Sequence, residues 1–279
     1  MTVAAQQAGN WADLSAEAVR IVSEAGEAGV TLRVTGSAGI RLHCTAPGGV
    51  MDLLGRPAKD IDFVVPEKHR KGMRRYLESR GYITDRDLLI AMEGSRYSFA
   101  HRQHGTEIEV FVEKLDFCHT IEVAGRLAGH PVTIPIEELL LQKLQIVQMT
   151  TTDLIDASVL LATHDVAASE DSGIPGNDTE AEPAVRREVI DAGHIARLLA
   201  RDWGFHHTAT RNMERVRQHV ASGATAGAGQ AANARAEGGA ARLLAAIDAE
   251  PKTLAWRMRD KIGERKQWWQ DVDDRQATY

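Results

Sequence analysis

The run Asp60-Ile61-Asp62-Phe63-Val64-Val65 constrains this chain more than any other. It reads as a short strand, and residues two apart in a strand share a face. Asp60 and Asp62 therefore point the same way, while Ile61, Phe63 and Val65 point the other. Two carboxylates that close repel each other unless a cation or a proton offsets the repulsion. Magnesium suits that role, being a hard ion that prefers carboxylate oxygens. An edge strand with a solvated face would give the same pattern.

Upstream, Val30 to Thr35 reads as a strand and Gly36-Ser37-Ala38-Gly39 as a small-residue turn. Such a turn can hold a phosphate through backbone donors. It lacks the Lys-Ser/Thr ending of a phosphate loop and the spacing of a dinucleotide fingerprint. Downstream, the spacing predicts strands at about 95–100 and 106–112, joined by a polar turn that contains Gly105. Ile108, Val110 and Val112 share one face of the second strand, and Glu107, Glu109 and Phe111 share the other. Glu109 lies deeper than Glu107 and is the better candidate for a third carboxylate beside the Asp pair. An ordinary amphipathic edge strand is the bland alternative.

These parts, in this order, resemble the nucleotidyltransferase superfamily, the polymerase-beta-like fold. Gly36-Ser37, then Asp60 and Asp62, then Glu109 match its Gly-Ser turn, its Asp-x-Asp strand and its third acidic strand. The resemblance is nearest to the abortive-infection toxin type. Lys143 follows Ile136-Glu137-Glu138-Leu139-Leu140-Leu141-Gln142, and Asp156 lies in Thr152-Asp153-Leu154-Ile155-Asp156. These look like that branch's lysine helix and the aspartate helix that follows it. The likeness spans roughly residues 28–166. It implies an α+β fold, a small mixed sheet flanked by helices and followed by a mainly helical C-terminal region.

The resemblance also implies a chemistry. A nucleoside monophosphate would pass from a nucleoside triphosphate to an acceptor hydroxyl, releasing pyrophosphate. Asp60, Asp62 and Glu109 would be metal ligands for magnesium, or for manganese in its place. Gly36, Ser37 and Lys143 would hold the phosphates, and Asp156 would support Lys143. The acceptor would be tRNA, another RNA, a protein side chain or a small molecule. An antitoxin, or a second copy bound through the C-terminal region, would be a further partner. Two departures stand out. The family more often has Asp where this chain has Glu109, and an extra methylene moves the oxygens outward by about 1 Å, enough to cost rate. The stretch Leu144 to Ile155 also carries no Arg or Lys.

Each role has a plainer rival. Lys143 could snorkel at a helix edge. Asp153 could cap the following helix, with Asp156 an acid favoured by the helix dipole. Three function classes follow: an active transferase, a catalytically degenerate nucleotide-binding or regulatory protein with the same fold, and an unrelated α+β domain.

Composition narrows this little. A chain of 279 residues can hold two domains, and a net charge of −6 gives no global nucleic-acid signature. Local basic patches occur at Lys68-His69-Arg70-Lys71 with Arg74 and Arg75, and at His101 to His104. They would meet a polyanion or line a solvated helix. Two cysteines, Cys44 and Cys118, imply no disulfide framework and exclude a cysteine-built zinc site. No signal peptide and no apolar run of membrane length is read, so a cytoplasmic location is expected.

The expected division is a catalytic domain over 1–166, a polar acidic linker over 167–182 and a helical domain over 183–279. Helices are expected over 14–28 and 67–80, from 135 to Lys143, and over 153–163, 183–201 and 208–220. A long connection from His43 to Ala58 would fold over the nucleotide. Trp256, Trp268 and Trp269 read as packing anchors near the C-terminus.

Overall fold

The structure is a computed structural model and describes residues 11–44, 55, 60–92, 94–103, 105–167, 188–223, 227 and 229–271. Most of the expected connection from His43 to Ala58 and nearly all of the expected linker lie outside the described residues. The chain divides into two compact units. Among the described residues, the first comprises those up to 44, those from Gly55 to Leu115 and Thr120–Leu139, and the second comprises Asp116–His119 and those from Leu140 onward.

The first unit is built on a five-stranded mixed sheet. Its strands are β1 (Arg33–Thr35), β2 (Ile61–Val65), β3 (Tyr82–Thr84), β4 (Arg96–His101) and β5 (Glu107–Val112), in the order β1-β2-β5-β4-β3. Only the central pair, β2 with β5, is parallel. Alternation splits the sheet into two unlike faces. One carries Val34, Ile61, Phe63, Val65, Ile108, Val110, Val112, Tyr97 and Phe99, all buried. Burying each large apolar side chain contributes about 1.5–3 kcal/mol.

Helices α1 (Trp11–Glu27) and α3 (Arg70–Ser79) belong to this apolar face. Tyr82, on that face, donates its hydroxyl to Glu17 of α1 at 2.8 Å, and Tyr76 of α3 donates to Glu24 at 3.0 Å. The interval between them, Gly36–His43, is helix α2 and not the turn expected from its glycines. Thr35 ends β1 in an extended conformation, Gly36 turns the chain at φ +61°, and Ala38 and Ile40 are then buried at helical spacing.

Four further elements were too short for periodicity to show: β3, α4 (Arg86–Ala91), and β6 (Lys114–Asp116) with β7 (Thr120–Glu122), which form a small pair. The connection over 129–135 meets β1 through an isolated parallel bridge, Val34 to Thr133. Arg33 fastens that connection to β1, its Nε donating to the carbonyls of Leu127 at 2.9 Å and His130 at 2.7 Å.

Helix α5 (Ile136–Leu144) begins in the first unit and ends in the second. The second unit continues with α6 (Thr151–Thr163), β8 (Asp165–Ala167), β9 (Val189–Asp191), α7 (Ala192–Leu199), α8 (Trp203–Ala221), α9 (Gln230–Ala249) and α10 (Leu254–Asp260). β8 and β9 pair in parallel, so the stretch just before α7 is strand and not the helix expected there. Asp153 is not the N-cap of α6. Thr150 is, and Asp153 completes a capping box from the third helical position.

α9 packs on α6, α7 and α8. It continues unbroken through Gly238 and Gly239. A side chain at Gly239 would sit 3.2 Å from Val166, so the glycine allows the close approach. Trp203, His207 and Trp268 form a ring cluster with the Arg259 guanidinium 4.6 Å above Trp203. His207 also lies 3.1 Å from Glu264, an acidic partner far away in sequence. Among the described residues no helix is long and apolar enough to cross a membrane.

Candidate functional site

The second face of the sheet is polar across its middle. The register aligns Thr35 of β1, Asp62 of β2, Glu109 of β5 and Ser98 of β4 in one lateral row. Adjacent strands lie about 4.8 Å apart, so Asp62 and Glu109 are side-by-side neighbours. Asp60 precedes β2 by one residue, at the alternation position that shares the face of Asp62. Glu107 is on the same side as Glu109 but exposed, at the rim. Sequence alternation thus places all four carboxylates on one face, and the parallel pairing of β2 with β5 brings two of them together.

Repulsion between unit charges about 5 Å apart is worth roughly 3 kcal/mol at an effective dielectric constant of 20. Part of the compensation is built in. The Arg96 guanidinium forms an ion pair with Glu109, and the two side chains are only 5% and 9% exposed. Arg96 lies one row along β4, opposite Phe111, with its guanidinium carbon 5.0 Å from the Phe111 ring centre. Its Nε is buried without a hydrogen-bond partner. Sequence reading missed this partner. Arg96 was visible as the first residue of a strand, but its register against β5 was not.

Gly36 closes the row from above. Its φ is +61°, and a Cβ placed there would stand 2.0 Å from Oδ2 of Asp62. The start of α2 therefore lies directly against the Asp62 carboxylate. Ser37 follows it and is 5% exposed. The N-terminal end of a helix carries unsatisfied N–H groups and a partial positive charge, which favours an anion beside it.

The donor set fits a hard divalent cation at Asp60 and Asp62, which offer carboxylate oxygens on a partly open face. Glu109 forms its own ion pair with Arg96 of the neighbouring strand.

Lys143 and Asp156 lie in the second unit and meet each other. The Lys143 ammonium is 3.0 Å from Asp156 and 3.4 Å from Asp153. Asp156 is fully buried. Elsewhere in that unit His164 and Glu188 bring ligand-capable atoms within 4.8 Å of each other, the donor types of a divalent metal site. Their separation in sequence hides that pairing. Burial pushes the His119 and His206 imidazoles down to about 4, so both are neutral at pH 7. Nε2 of His119 lies 2.9 Å from the Thr208 hydroxyl, which fits a structural role.

No protein-family model matches this chain, and no curated protein matches it. Among solved structures, the chain is similar to an antigenic nucleotidyltransferase-like protein from Paracoccidioides brasiliensis. The two are 14% identical with a TM-score of 0.35, and the match covers 56% of this chain and 78% of that one. A likeness of that size assigns neither a family nor an activity.

Proposed function

We propose that the polar face of the five-stranded sheet binds a nucleoside triphosphate with a divalent cation and transfers the nucleoside monophosphate to an acceptor hydroxyl. The observation that carries this reading is the contact of Gly36 with Asp62, beside the in-register Asp62–Glu109 pair. A phosphate chain needs N–H donors next to the carboxylates that hold its counter-ion, and the start of α2 would supply them.

Backbone N–H groups at Gly36 and Ser37 would hold the outer phosphates. Asp60 and Asp62 would hold magnesium. When bound, that ion offsets the triphosphate charge and polarises the phosphorus under attack. Glu109 would face the acceptor side as the nearest group able to take up the hydroxyl proton. Lys143, which motif resemblance would assign to the phosphates, lies in the second unit and is engaged there by Asp153 and Asp156. The toxin-type subclass, the antitoxin partner and a cytoplasmic location belong to this proposal.

A second reading is favoured by one observation. The buried ion pair between Glu109 and Arg96 occupies the group that would act as base. A protein that binds nucleotide and turns over slowly or not at all would have the same arrangement.

Calorimetry tests the binding step common to both. With magnesium the protein is expected to bind a nucleoside triphosphate. Asp60→Ala with Asp62→Ala should reduce affinity at least about tenfold, or 1.4 kcal/mol, and remove the metal dependence. Equal affinity with and without magnesium in the unaltered chain would rule out the metal role.

A further inference from the structure

We infer that the outer face of α10 is a docking surface for a partner protein, whose contact element is an amphipathic helix with acidic residues along one flank. The surface lies in the second unit and shares no residue with the acidic face of the sheet.

Three large apolar side chains of this segment are open to solvent. Leu254 is 69% exposed, Met258 60% and Ile262 42%. Single exposed apolar residues are ordinary. These three stand four apart, so on a helix they form one ridge. Lys261 and Ile262 keep right-handed helical backbone angles past the end of α10, which carries the ridge on to Ile262. Gly263, at φ +57°, then ends the helical run.

The opposite face explains why the ridge points outward. Trp256 sets its ring 5.0 Å from that of His206, and the Arg259 guanidinium lies 4.6 Å over the Trp203 ring. Asp260 accepts a hydrogen bond from Nε1 of Trp203 at 2.6 Å. These contacts with α8 fix the rotation of α10 about its axis and leave the ridge on the far side.

Charge selects the occupant. Arg257 and Lys261 form a second row beside the ridge. Both are exposed, and neither makes an ion pair among the described residues. The acids of the segment are engaged by α8, Asp260 by Trp203 and Glu264 by His207 at 3.1 Å. A local row of cations on a chain of net charge −6 favours an anionic counterpart.

An apolar ridge with one charged flank suits helix-on-helix docking, in which anchors four apart enter the grooves of the other helix. An anionic bilayer fits less well. The cations stand on one side of the ridge only, with Ala255 on the other, and the net charge of −6 opposes approach to an anionic surface. A second copy of the chain also fits less well. A two-fold axis pairs the ridge with itself and sets the two basic rows on the same side.

The test is a displayed library of helical peptides of about five turns, selected on the full chain. Positions on one face of each peptide are drawn from Leu, Ala, Glu and Lys. Peptides with Leu at i, i+4 and i+8 and Glu along one flank should be enriched. Met258→Glu in the chain should weaken binding of the selected peptides at least about tenfold. Arg257→Glu with Lys261→Glu should turn the selection to Lys at the same flank. All three positions are exposed, so these variants should melt like the unaltered chain.

No enrichment, enrichment without an acidic flank, or selected peptides that bind Met258→Glu as well as the unaltered chain would overturn the inference. Binding to phosphatidylserine vesicles that Met258→Glu removes would overturn it in favour of a membrane contact. A dimer in sedimentation that Met258→Glu dissolves would overturn it in favour of self-association.

Discussion

Gly36→Ala is expected to lower stability by about 3 kcal/mol and to abolish triphosphate binding. Two costs add. A residue with a Cβ at φ +61° loses about 1–2 kcal/mol relative to glycine. The added carbon would also stand 2.0 Å from an Asp62 oxygen, so the carboxylate must move, and overpacking of this kind costs about 1–3 kcal/mol. The second cost belongs to the pair. In the background of Asp62→Ala, Gly36→Ala should cost only the backbone part, a coupling of about 1–2 kcal/mol. Urea unfolding of the four proteins measures it. A Gly36→Ala chain within about 0.5 kcal/mol of the unaltered one, the ordinary range for surface changes, would mean that α2 does not press on Asp62.

Lys143→Ala is expected to be at least as damaging, and for a structural reason. Asp156 is fully buried, and Lys143 is a cation in direct contact with it at 3.0 Å. Removing one partner of a buried pair costs about 3–5 kcal/mol, because the other charge is left in a poor solvent. For a chain of this size that is a fall of roughly 10 °C in melting temperature. Lys143→Met with Asp156→Leu should recover most of the loss, since an apolar pair of similar volume carries no charge to bury. If Lys143→Ala melts like the unaltered chain, the pair is not what holds α5 to α6. The same variant informs the site. A triphosphate affinity that falls more than monophosphate affinity in the folded protein would assign Lys143 to the outer phosphates, and equal losses would not.

Sequence reading recovered the parts governed by alternation. Ile61, Phe63, Ile108 and Val110 announce an inner face, and Asp62 and Glu109 fall on the other face of their strands as a result. It could not see which strands are neighbours. The placement of β5 beside β2, and of Arg96 near Glu109, is a property of register between distant segments. α2 was misread because glycine favours turns, and here Gly36 makes the turn while the residues after it form a helix. β3 and α4 were missed for length, at three and six residues. Lys143 and Asp156 were singled out together and Asp153 only as a helix cap, yet the contact of Lys143 with both needs α5 and α6 to fold back on each other. Local spacing does not specify that.

The most direct measurement follows the label of an alpha-labelled nucleoside triphosphate. The unaltered chain is incubated with it, with magnesium or manganese, and with tRNA, cell protein and aminoglycosides as acceptors. Label should move into one acceptor fraction as a nucleoside monophosphate, with an equal amount of pyrophosphate. Asp62→Asn should stop it, and Glu109→Gln should stop it while leaving nucleotide binding largely intact. Release of free phosphate, or transfer that survives Asp62→Asn, would contradict nucleotidyl transfer at this face.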